Sequence, residues 1–245
     1  MVKNLSVMKL ALIGYGKLGK EVEKAALGRG HTIHCIIDSE EDWKKKPDGI
    51  KNCDVAIEFT TPDSVLLNLS RCFDIGIPVV TGTTGWHGHL QGVTGECEKK
   101  GGTLFYASNF SIGANLFFDV NRRLAALMNH QPGFDVHITE THHIYKLDKP
   151  SGTAVSLAND IIANVQRKES WKEGEDIQYG QIGITSVREG EITGIHEVSW
   201  ESEMDSITIR HQAKNRRGFA MGAIVAAEFI NGKKGIFRMS DLLEL

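Results

Sequence analysis

Residues 8–106 alternate short apolar runs with longer amphipathic stretches, and this alternation limits the possible folds more than any other feature of the sequence. The apolar runs are rich in β-branched side chains and predict strands at 10–13, 32–37, 55–59, 78–81 and 103–106. Helical periodicity covers residues 18–27 and 64–73 between them. Because the connections are short and crossovers between parallel strands are right-handed, the pattern predicts an α/β domain with one doubly wound parallel sheet.

The second half of the chain has a different pattern. It predicts a helix at 112–128, a strand at 136–141 and a helix at 154–167, followed by a polar loop at 168–178. Three alternating runs, at 182–188, 194–200 and 206–212, are spaced closely enough for an antiparallel meander. A last helix at 220–230 and a short segment at 235–239 are placed to return to the first domain. We therefore expect a second α+β domain with a mixed or antiparallel sheet.

Composition excludes several classes of partner. Lys and Arg total 28 against 31 Asp and Glu, so the formal net charge of -3 favours neither nucleic acid nor an anionic membrane surface. The longest apolar stretches, such as 223–227, are far shorter than the ~20 residues of a membrane helix. Residues 1–7 lack the pattern of an export signal, so we expect a cytoplasmic protein. The four cysteines show no CxxC spacing, which disfavours a zinc site and predicts reduced thiols.

A glycine-rich turn follows the first predicted strand and opens a helical pattern. Its residues are Gly14, Tyr15, Gly16, Lys17, Leu18 and Gly19. In a Rossmann-like fold the first glycine permits the bend, the second lets the backbone approach a pyrophosphate, and the third lets the helix pack closely. The free N–H groups at the start of the helix would bind the pyrophosphate. We therefore expect a dinucleotide cofactor at this turn.

Asp38 ends the second predicted strand, 19 residues after Gly19. An acidic side chain at this position accepts hydrogen bonds from the adenosine ribose hydroxyls and repels a 2′-phosphate. The next three residues are Ser-Glu-Glu, without an arginine, although Lys17 can supply a compensating charge. The site therefore favours NADH over NADPH. In the alternative interpretation, the glycine turn belongs to an unrelated α/β protein and Asp38 caps a helix.

Two further loops follow the third and fourth predicted strands, at residues 58–61 and 81–85. Ligands of open α/β sheets bind at this edge, where the carboxyl ends of the strands meet. The glycines and hydroxyls of both loops would let backbone and side chains approach a nicotinamide ribose or carboxamide. Each loop, taken alone, is also typical of a helix-capping turn.

Residues 140–154 concentrate groups that transfer protons and groups that bind anions. The segment holds His142, His143 and Lys146, and it ends in a Ser-Gly-Thr turn that opens a helix. Either Ser151 or Thr153 could cap that helix, whose first N–H groups would bind a carboxylate. A fully extended strand would hold residues 142 and 146 roughly 13 Å apart, so the chain must bend if both contact one small substrate.

Metal binding is disfavoured in this segment. Adjacent histidines in a strand point to opposite faces, and no carboxylate or cysteine lies at a familiar ligand spacing from them. His137, on the same predicted strand, is interpreted as a solvated or core histidine.

These residues resemble the 4-hydroxy-tetrahydrodipicolinate reductase family, also called dihydrodipicolinate reductases, of bacterial lysine and diaminopimelate biosynthesis. The resemblance covers nearly the whole chain, and its most specific element is the signature E-x-H-H-x-x-K-x-D-x-P-S-G-T-A, present at residues 140–154 without a gap. It implies that His142 donates or accepts a proton and that Lys146 donates one. It also implies that His143 contacts the substrate, a small cyclic dicarboxylate, and that the N–H groups of Gly152 and Thr153 bind a substrate carboxylate.

The resemblance further implies a nicotinamide cofactor, NADH or NADPH. The residues that it assigns to the cofactor are Gly14, Tyr15, Gly16, Lys17, Leu18, Gly19, Asp38, Gly82, Thr83, Thr84, Ala107, Ser108, Asn109 and Phe110. Residues 1–108 and 217–245 would form the dinucleotide-binding domain, and residues 109–216 the substrate-binding domain. A homotetramer would assemble through the sheet of the latter. Many relatives have a longer glycine turn and an acidic residue followed by Arg after the second strand, whereas here Ser39 follows Asp38.

Two other functions fit the same glycine turn. The first is a different two-domain nicotinamide oxidoreductase, such as an amino-acid or sugar dehydrogenase, with Lys146 as a base on an alcohol. The second is a regulator that binds NADH without turnover. The histidine-lysine and Ser-Gly-Thr segment discriminates among them, because it predicts selectivity for a compact dicarboxylate and a complete set of catalytic groups.

Overall fold

A computed structural model describes residues 6–45, 47–215 and 217–245. The chain divides into two compact units, Met1–Ile112 with Arg217–Leu245, and Gly113–Arg216. The prediction about an export signal concerned residues 1–7, and residues 1–5 of that segment lie outside the described residues. No helix within the described ranges has the length and apolar character needed to cross a membrane.

Strands and helices alternate through the first unit and cluster in the second. The strands are β1 (Lys9–Ile13), β2 (Thr32–Ile37), β3 (Val55–Glu58), β4 (Val79–Thr81), β5 (Thr103–Tyr106), β6 (Asp135–His142), β7 (Ser170–Glu173), β8 (Gln181–Arg188), β9 (Gly194–Glu201), β10 (Ser206–Ala213) and β11 (Gly235–Phe237). The helices are α1 (Lys17–Gly28), α2 (Glu40–Lys45), α3 (Pro47–Lys51), α4 (Pro62–Ile75), α5 (Leu90–Lys99), α6 (Ile112–Met128), α7 (Gly152–Asn164), α8 (Arg217–Ile230) and α9 (Met239–Leu243).

The first unit is built on a parallel sheet with the strand order β11-β5-β4-β3-β1-β2. Its central strands are buried on both faces, as expected when helices cover both sides. One apolar cluster packs α1 and α8 on one face, and a second packs α4 and α5 on the other. The predicted doubly wound sheet is thereby confirmed. The sequence pattern had not indicated α2, α3 or α5.

The second unit contains a mixed sheet with the strand order β10-β9-β6-β8-β7. The predicted class of sheet is confirmed, but the predicted meander is wrong, because β6 lies between β8 and β9. Strand β6 is parallel to β8 and antiparallel to β9. The connection at residues 189–193 therefore steps over the end of β6, where Glu189 N–H donates to the His142 carbonyl at 2.8 Å. Neighbouring strands lie about 4.8 Å apart, so five residues are enough to pass one strand.

The polar segment at 168–178 is not only a loop, which corrects a second prediction. It contains β7, which pairs in parallel with β8 at one edge of the sheet. Side chains along β7 are largely exposed. An edge strand is buried little and needs no apolar alternation, so composition alone does not reveal it.

Alternating burial along β6 and β9 positions the site of the second unit. On β6 the buried positions are Val136, Ile138, Glu140 and His142, and on β9 they include Val198 and His196. The apolar members pack under α6 and α7. Because side chains on a strand alternate between faces, the polar members continue the same buried row towards one end of the sheet. The core therefore ends in a carboxylate and two imidazoles.

Candidate active site

Glu140, His142 and His196 form one buried cluster at the end of the second sheet. Glu140 and His196 are cross-strand partners, and the two imidazole rings meet edge to face with centroids 5.0 Å apart. Nδ1 of His142 lies 3.4 Å from Oε2 of Glu140, and Nε2 of His196 lies 3.7 Å from the same oxygen. These separations exceed those of formed hydrogen bonds, so the carboxylate faces both rings without being saturated by them.

Glu140 is held by donors from two other elements. The backbone N–H of Ser151 donates to both carboxylate oxygens, at 3.0 and 3.1 Å, and Nη2 of Arg188 donates to Oε1 at 3.1 Å. Burial opposes ionisation, but the hydrogen bonds from Ser151 and Arg188 outweigh it and lower the pKa of Glu140 below its ordinary value. Glu140 is therefore a carboxylate that ties β6 to the start of α7.

His142 and His196 are neutral at neutral pH. Burial lowers the pKa of His142, partly opposed by Glu140, and the charge of Lys146 lowers it further. Burial lowers the pKa of His196 to about 4. A carboxylate facing Nδ1 of His142 favours the tautomer with hydrogen on Nδ1, which leaves Nε2 as a proton acceptor. A Cβ at Gly194 would lie 3.1 Å from that Nε2, so glycine leaves room beside it.

The chain bends directly after His142, where the sequence required a bend. Strand β6 ends there, and the N–H of Lys146 donates to the His143 carbonyl at 3.1 Å in a tight turn. The Lys146 ammonium contacts both oxygens of Asp148, at 2.7 and 2.8 Å, and its hydrogen bond lowers the pKa of Asp148. Lys146 is thus a partly exposed ammonium, with 21% of its side chain accessible, next to the buried His142.

Helix α7 begins within the signature segment. The structure selects Ser151 as its cap, because Oγ of Ser151 accepts from the Ala154 N–H at 3.2 Å. Oγ of Ser151 also lies 3.1 Å from Nε2 of His196. Gly152 and Thr153 form the first turn, and the first N–H groups of a helix have no acceptor within it. These two amides are suited to a carboxylate, as the sequence predicts.

The prediction against a metal site rested on the lack of a carboxylate at ligand spacing from the histidines. The Glu140–His142–His196 cluster does contain a carboxylate, that of Glu140. The three ligand-type atoms of the cluster lie within 4.8 Å of one another. A metal ion would have to displace donors, because the Ser151 N–H and the Arg188 guanidinium already occupy the Glu140 oxygens. The donor set is therefore better suited to proton transfer and positioning than to holding a cation.

The predicted cofactor residues of the first unit follow the carboxyl ends of its parallel strands. Gly14 has φ +90°, and a Cβ there would lie 2.0 Å from the Phe59 carbonyl oxygen, so only glycine fits. A Cβ at Gly19 would lie 2.4 Å from the Gly14 oxygen, whereas one at Gly16 would meet nothing within 4 Å. Gly16 precedes α1 and provides no side-chain cap. The start of α1 is therefore suited to an anion.

Asp38 joins the end of β2 to the glycine turn. Its Oδ1 accepts from the Tyr15 N–H at 2.7 Å. Ser39 Oγ accepts from the Asp42 N–H at 3.2 Å at the start of α2. Ser39, not Asp38, therefore caps that helix, which argues against the alternative interpretation of Asp38.

The remaining cofactor candidates form two packed loops in the same unit. A Cβ at Gly82 would lie 2.0 Å from the Phe59 ring, and the Trp86 indole donates to the Thr83 carbonyl at 2.7 Å. In the 107–110 loop, the Phe110 ring packs 5.7 Å from the ring of Phe59. Both loops are thus fixed from the core side.

Several residues that the structure places around these sites had no individual role predicted from the sequence, namely Glu58, which was predicted only as part of the 58–61 loop, Glu140, Arg188 and His196. Glu140 carried a usable signal, because it is two residues before His142 and must share its face of the strand. Arg188 and His196 come from β8 and β9, whose pairing with β6 is not encoded in local spacing.

The pKa of His196 makes stability depend on pH. The unfolded histidine titrates near 6.5 and the folded one at about 4, so the unfolded chain binds more protons between these values. Folding stability should therefore fall as pH falls through this window, by up to about 3 kcal/mol from this residue. The free energy of unfolding, measured with urea at about pH 7 and about pH 5, should fall less between these pH values for His196→Gln than for the wild type.

The matched control for that experiment is His89→Asn, at an exposed histidine. It should follow the wild type at both pH values. Equal pH dependence of His196→Gln and the wild type would contradict a buried neutral His196.

Family profiles match both units. Residues 8–110 match the profile described as "Dihydrodipicolinate reductase, N-terminus", and residues 113–243 match "Dihydrodipicolinate reductase, C-terminus". The 4-hydroxy-tetrahydrodipicolinate reductase of Christiangramia forsetii is 41% identical over 236 residues, covering 96% of this chain and 98% of the relative. That of Methanopyrus kandleri is 37% identical over 203 residues, covering 80% of this chain and 74% of the relative.

A solved structure agrees with these sequence matches. The dipicolinate-bound dihydrodipicolinate reductase of Paenisporosarcina sp. TG-14 superposes with a TM-score of 0.77 at 25% identity, covering 95% of this chain and 97% of that one. A probable dehydrogenase from Thermotoga maritima, with a TM-score of 0.53 at 13% identity, shares the fold alone. The resemblance seen in the sequence is confirmed, and the chain belongs to the dihydrodipicolinate reductase family.

Proposed function

We propose that the chain reduces 4-hydroxy-tetrahydrodipicolinate to tetrahydrodipicolinate with a reduced nicotinamide cofactor, in lysine and diaminopimelate biosynthesis. The observation that carries the proposal is the Glu140–His142–His196 cluster. Lys146 and the first turn of α7, whose N–H groups have no acceptor within the helix, follow His142 in the same segment. Relatives that match 80–96% of this chain carry the same activity in their names. The solved relative with dipicolinate bound supports a small cyclic dicarboxylate as the substrate class.

The reaction removes a hydroxyl as water and adds a hydride and a proton to the ring. The nicotinamide, when bound, supplies the hydride to an electron-poor carbon conjugated to the ring imine. Lys146 or His142 supplies the proton to the neighbouring position. Lys146 is partly exposed and paired with Asp148, whereas burial lowers the pKa of His142, so we assign Lys146 as the donor and His142 as its partner for relaying the proton.

Substrate charge is matched locally. The overall charge of -3 would repel a dicarboxylate, but Lys146 and the amides of Gly152 and Thr153 offer positive charge and N–H donors. His143, whose Nδ1 has no hydrogen-bond partner among the described residues, is assigned to substrate contact. Orientation of the reactants by these groups supplies a share of the ~7–11 kcal/mol available from proximity.

The experiment that tests this function follows loss of cofactor absorbance. The substrate is generated in place from pyruvate and aspartate semialdehyde by a purified synthase, and NADH and NADPH are supplied in separate reactions. Oxidation that depends on the condensation product supports the proposal. Binding of cofactor without oxidation would instead favour another dehydrogenase or an NADH-binding regulator.

NADH is the proposed preferred cofactor because of Asp38. Oδ1 of Asp38 accepts from the Tyr15 N–H, and Oδ2 has no hydrogen-bond partner among the described residues, so Oδ2 can accept from the ribose hydroxyls and would repel a 2′-phosphate. Asp38→Ala should lower kcat/KM for NADH by about tenfold or more, since a hydrogen bond to a charged group is worth about 1.5–3 kcal/mol. For NADPH, kcat/KM should fall less or should rise, because the substitution removes the repulsion of the 2′-phosphate. Initial rates with both cofactors measure the ratio, and exposed Asp48→Ala is the control that should leave it unchanged.

The cytoplasmic location and the homotetramer are proposals of the same kind. The sheet of the second unit supports assembly, because its outer strand β10 leaves most side chains exposed, including Ile207 at 40%. A native mass of about four times 27.0 kDa would agree with a tetramer, and a monomer mass would contradict it.

A further inference from the structure

Glu58, the last residue of β3, is a fully buried carboxyl group in the first unit. It accepts hydrogen bonds from three threonine hydroxyls. Thr81 donates to Oε2 at 2.5 Å, Thr83 donates to Oε1 at 3.1 Å, and Thr60 also donates to Oε1. Its backbone carbonyl accepts from the Gly82 N–H at 3.0 Å. The catalytic assignment uses none of these contacts.

The directions of two of these hydrogen bonds are fixed by their surroundings. Thr60 Oγ1 accepts from the side-chain amide of Asn68 at 3.3 Å, and Thr83 Oγ1 accepts from the Thr60 N–H at 2.8 Å. An N–H group can only donate, so each hydroxyl hydrogen is left to point elsewhere. Both point at Oε1 of Glu58. The network therefore needs an acceptor at that position.

This network joins two loops that start at neighbouring strand ends. Thr60 belongs to the loop after β3, and Thr83 to the loop after β4, where Gly82 and Thr84 are cofactor candidates. The two loops also bond directly, from Thr60 N–H to Thr83 Oγ1. One carboxyl group thus anchors both loops from the core side, while their outer surface stays at the ligand-binding edge of the sheet.

A carboxyl group in this position is costly for folding alone. Burial raises the pKa of Glu58, although the threonine and asparagine hydrogen bonds lower it in part. A leucine of similar volume would fill the same space without a desolvation cost. The Glu58 carboxyl group lowers the stability of the fold but fixes two loops at the ligand-binding edge of the sheet. Ligand binding by those loops therefore explains its presence better than core packing does.

We propose that Glu58 is a positioning residue for the cofactor, which holds the 59–61 and 82–84 loops, through Thr60 and Thr83, in the conformation that receives the nicotinamide end. The inference rests on the proposed function, since that function assigns the 82–84 loop to the cofactor. Glu58 contacts the cofactor only through these loops.

The test compares NADH affinity, measured by fluorescence without substrate, with steady-state constants. Glu58→Leu removes every acceptor and should weaken NADH binding by about tenfold or more, while KM for the dicarboxylate stays within about twofold. Glu58→Gln keeps one acceptor oxygen for Thr60 and Thr83, and the Thr81 hydroxyl, which donates to the carboxylate in the wild type, can instead accept from the new amide NH2. It should therefore restore most of the affinity. Thr81→Val, which removes one bond, should show a smaller loss in the same direction.

Glu228→Gln is the matched control. Glu228 is also a carboxylate of the first unit with little exposure, 8% of its side chain, and it is bound to Arg29 at 2.6 Å and His31 at 2.8 Å, away from both loops. Glu228→Gln should lower Tm and leave NADH affinity unchanged. If Glu58 had only a structural role, Glu58→Leu would show the same pattern. If Glu58→Leu does not fold, Thr81→Val decides the test.

Unchanged NADH affinity in Glu58→Leu, or in Thr81→Val if the former does not fold, would overturn the inference. Failure of the proposed function is seen separately, as a wild-type protein that binds NADH but does not oxidise it with the dicarboxylate. Wild-type protein that does not bind NADH or NADPH would overturn both.

Discussion

Lys146→Ala is expected to lower kcat by about 10²–10⁴-fold, the usual contribution of a positioned proton donor. The structure places the Lys146 side chain after the bend that follows the buried, neutral His142, where Nζ lies 2.7 Å from Asp148. Its loss removes both the proton and a positive charge for the substrate. Stopped-flow or steady-state NADH oxidation measures the change, and circular dichroism with Tm shows that the fold is kept.

Lys172→Ala is the control for that substitution. Lys172 lies in the same unit, pairs with Asp176 and is about half exposed, so its loss should leave kcat unchanged. Wild-type turnover and unchanged substrate affinity in Lys146→Ala would show that the proton comes from another group.

Gly14→Ala is expected to abolish useful cofactor binding, with a loss of about 100-fold or more in NADH affinity. The added Cβ would lie 2.0 Å from the Phe59 carbonyl oxygen, and the residue has φ +90°, which side chains rarely adopt. The turn must therefore move, and each hydrogen bond that it then loses to the charged pyrophosphate costs about 1.5–3 kcal/mol, or about 10–100-fold in affinity. Fluorescence titration with NADH measures the loss.

Gly28→Ala provides the matched glycine. It is exposed at the end of α1, and a Cβ there meets nothing within 4 Å. Its NADH affinity should equal that of the wild type, and Tm should stay equal or rise slightly. Equal NADH affinity for Gly14→Ala and the wild type would show that the glycine turn does not form the cofactor site.

The first unit could be predicted closely from the sequence because its signals are local. Each strand is a short apolar run, and the glycine motif at 14–19 is continuous in sequence, although only the contact that requires Gly19 lies within the turn itself, whereas Gly14 is packed against Phe59 of another loop. Helix α2 was missed because its residues, Glu40 to Lys45, are charged apart from Trp43, and none of them is fully buried. A helix without an apolar stripe shows no periodicity to detect.

The second sheet could be predicted only in class, since strand order depends on contacts distant in sequence. Nothing local in β8 or β9 shows that β6 lies between them. For the same reason the sequence identified His142 and Lys146, which share one segment, but not His196 and Arg188, which meet them across strands. Glu58 was missed because an acidic residue before hydroxyls is usually a capping turn, and its burial is a tertiary property.

The most direct test of the proposed reaction is transfer of deuterium to the product from NADH that carries deuterium at both C4 positions, with the dicarboxylate formed in place by a synthase. Mass spectrometry and NMR of the product locate the label. The proposed mechanism predicts a product heavier by one deuterium, bound to the ring carbon conjugated to the imine, and no such transfer by Lys146→Ala on the same time scale. Oxidation of NADH with an unlabelled ring would contradict hydride transfer to this substrate.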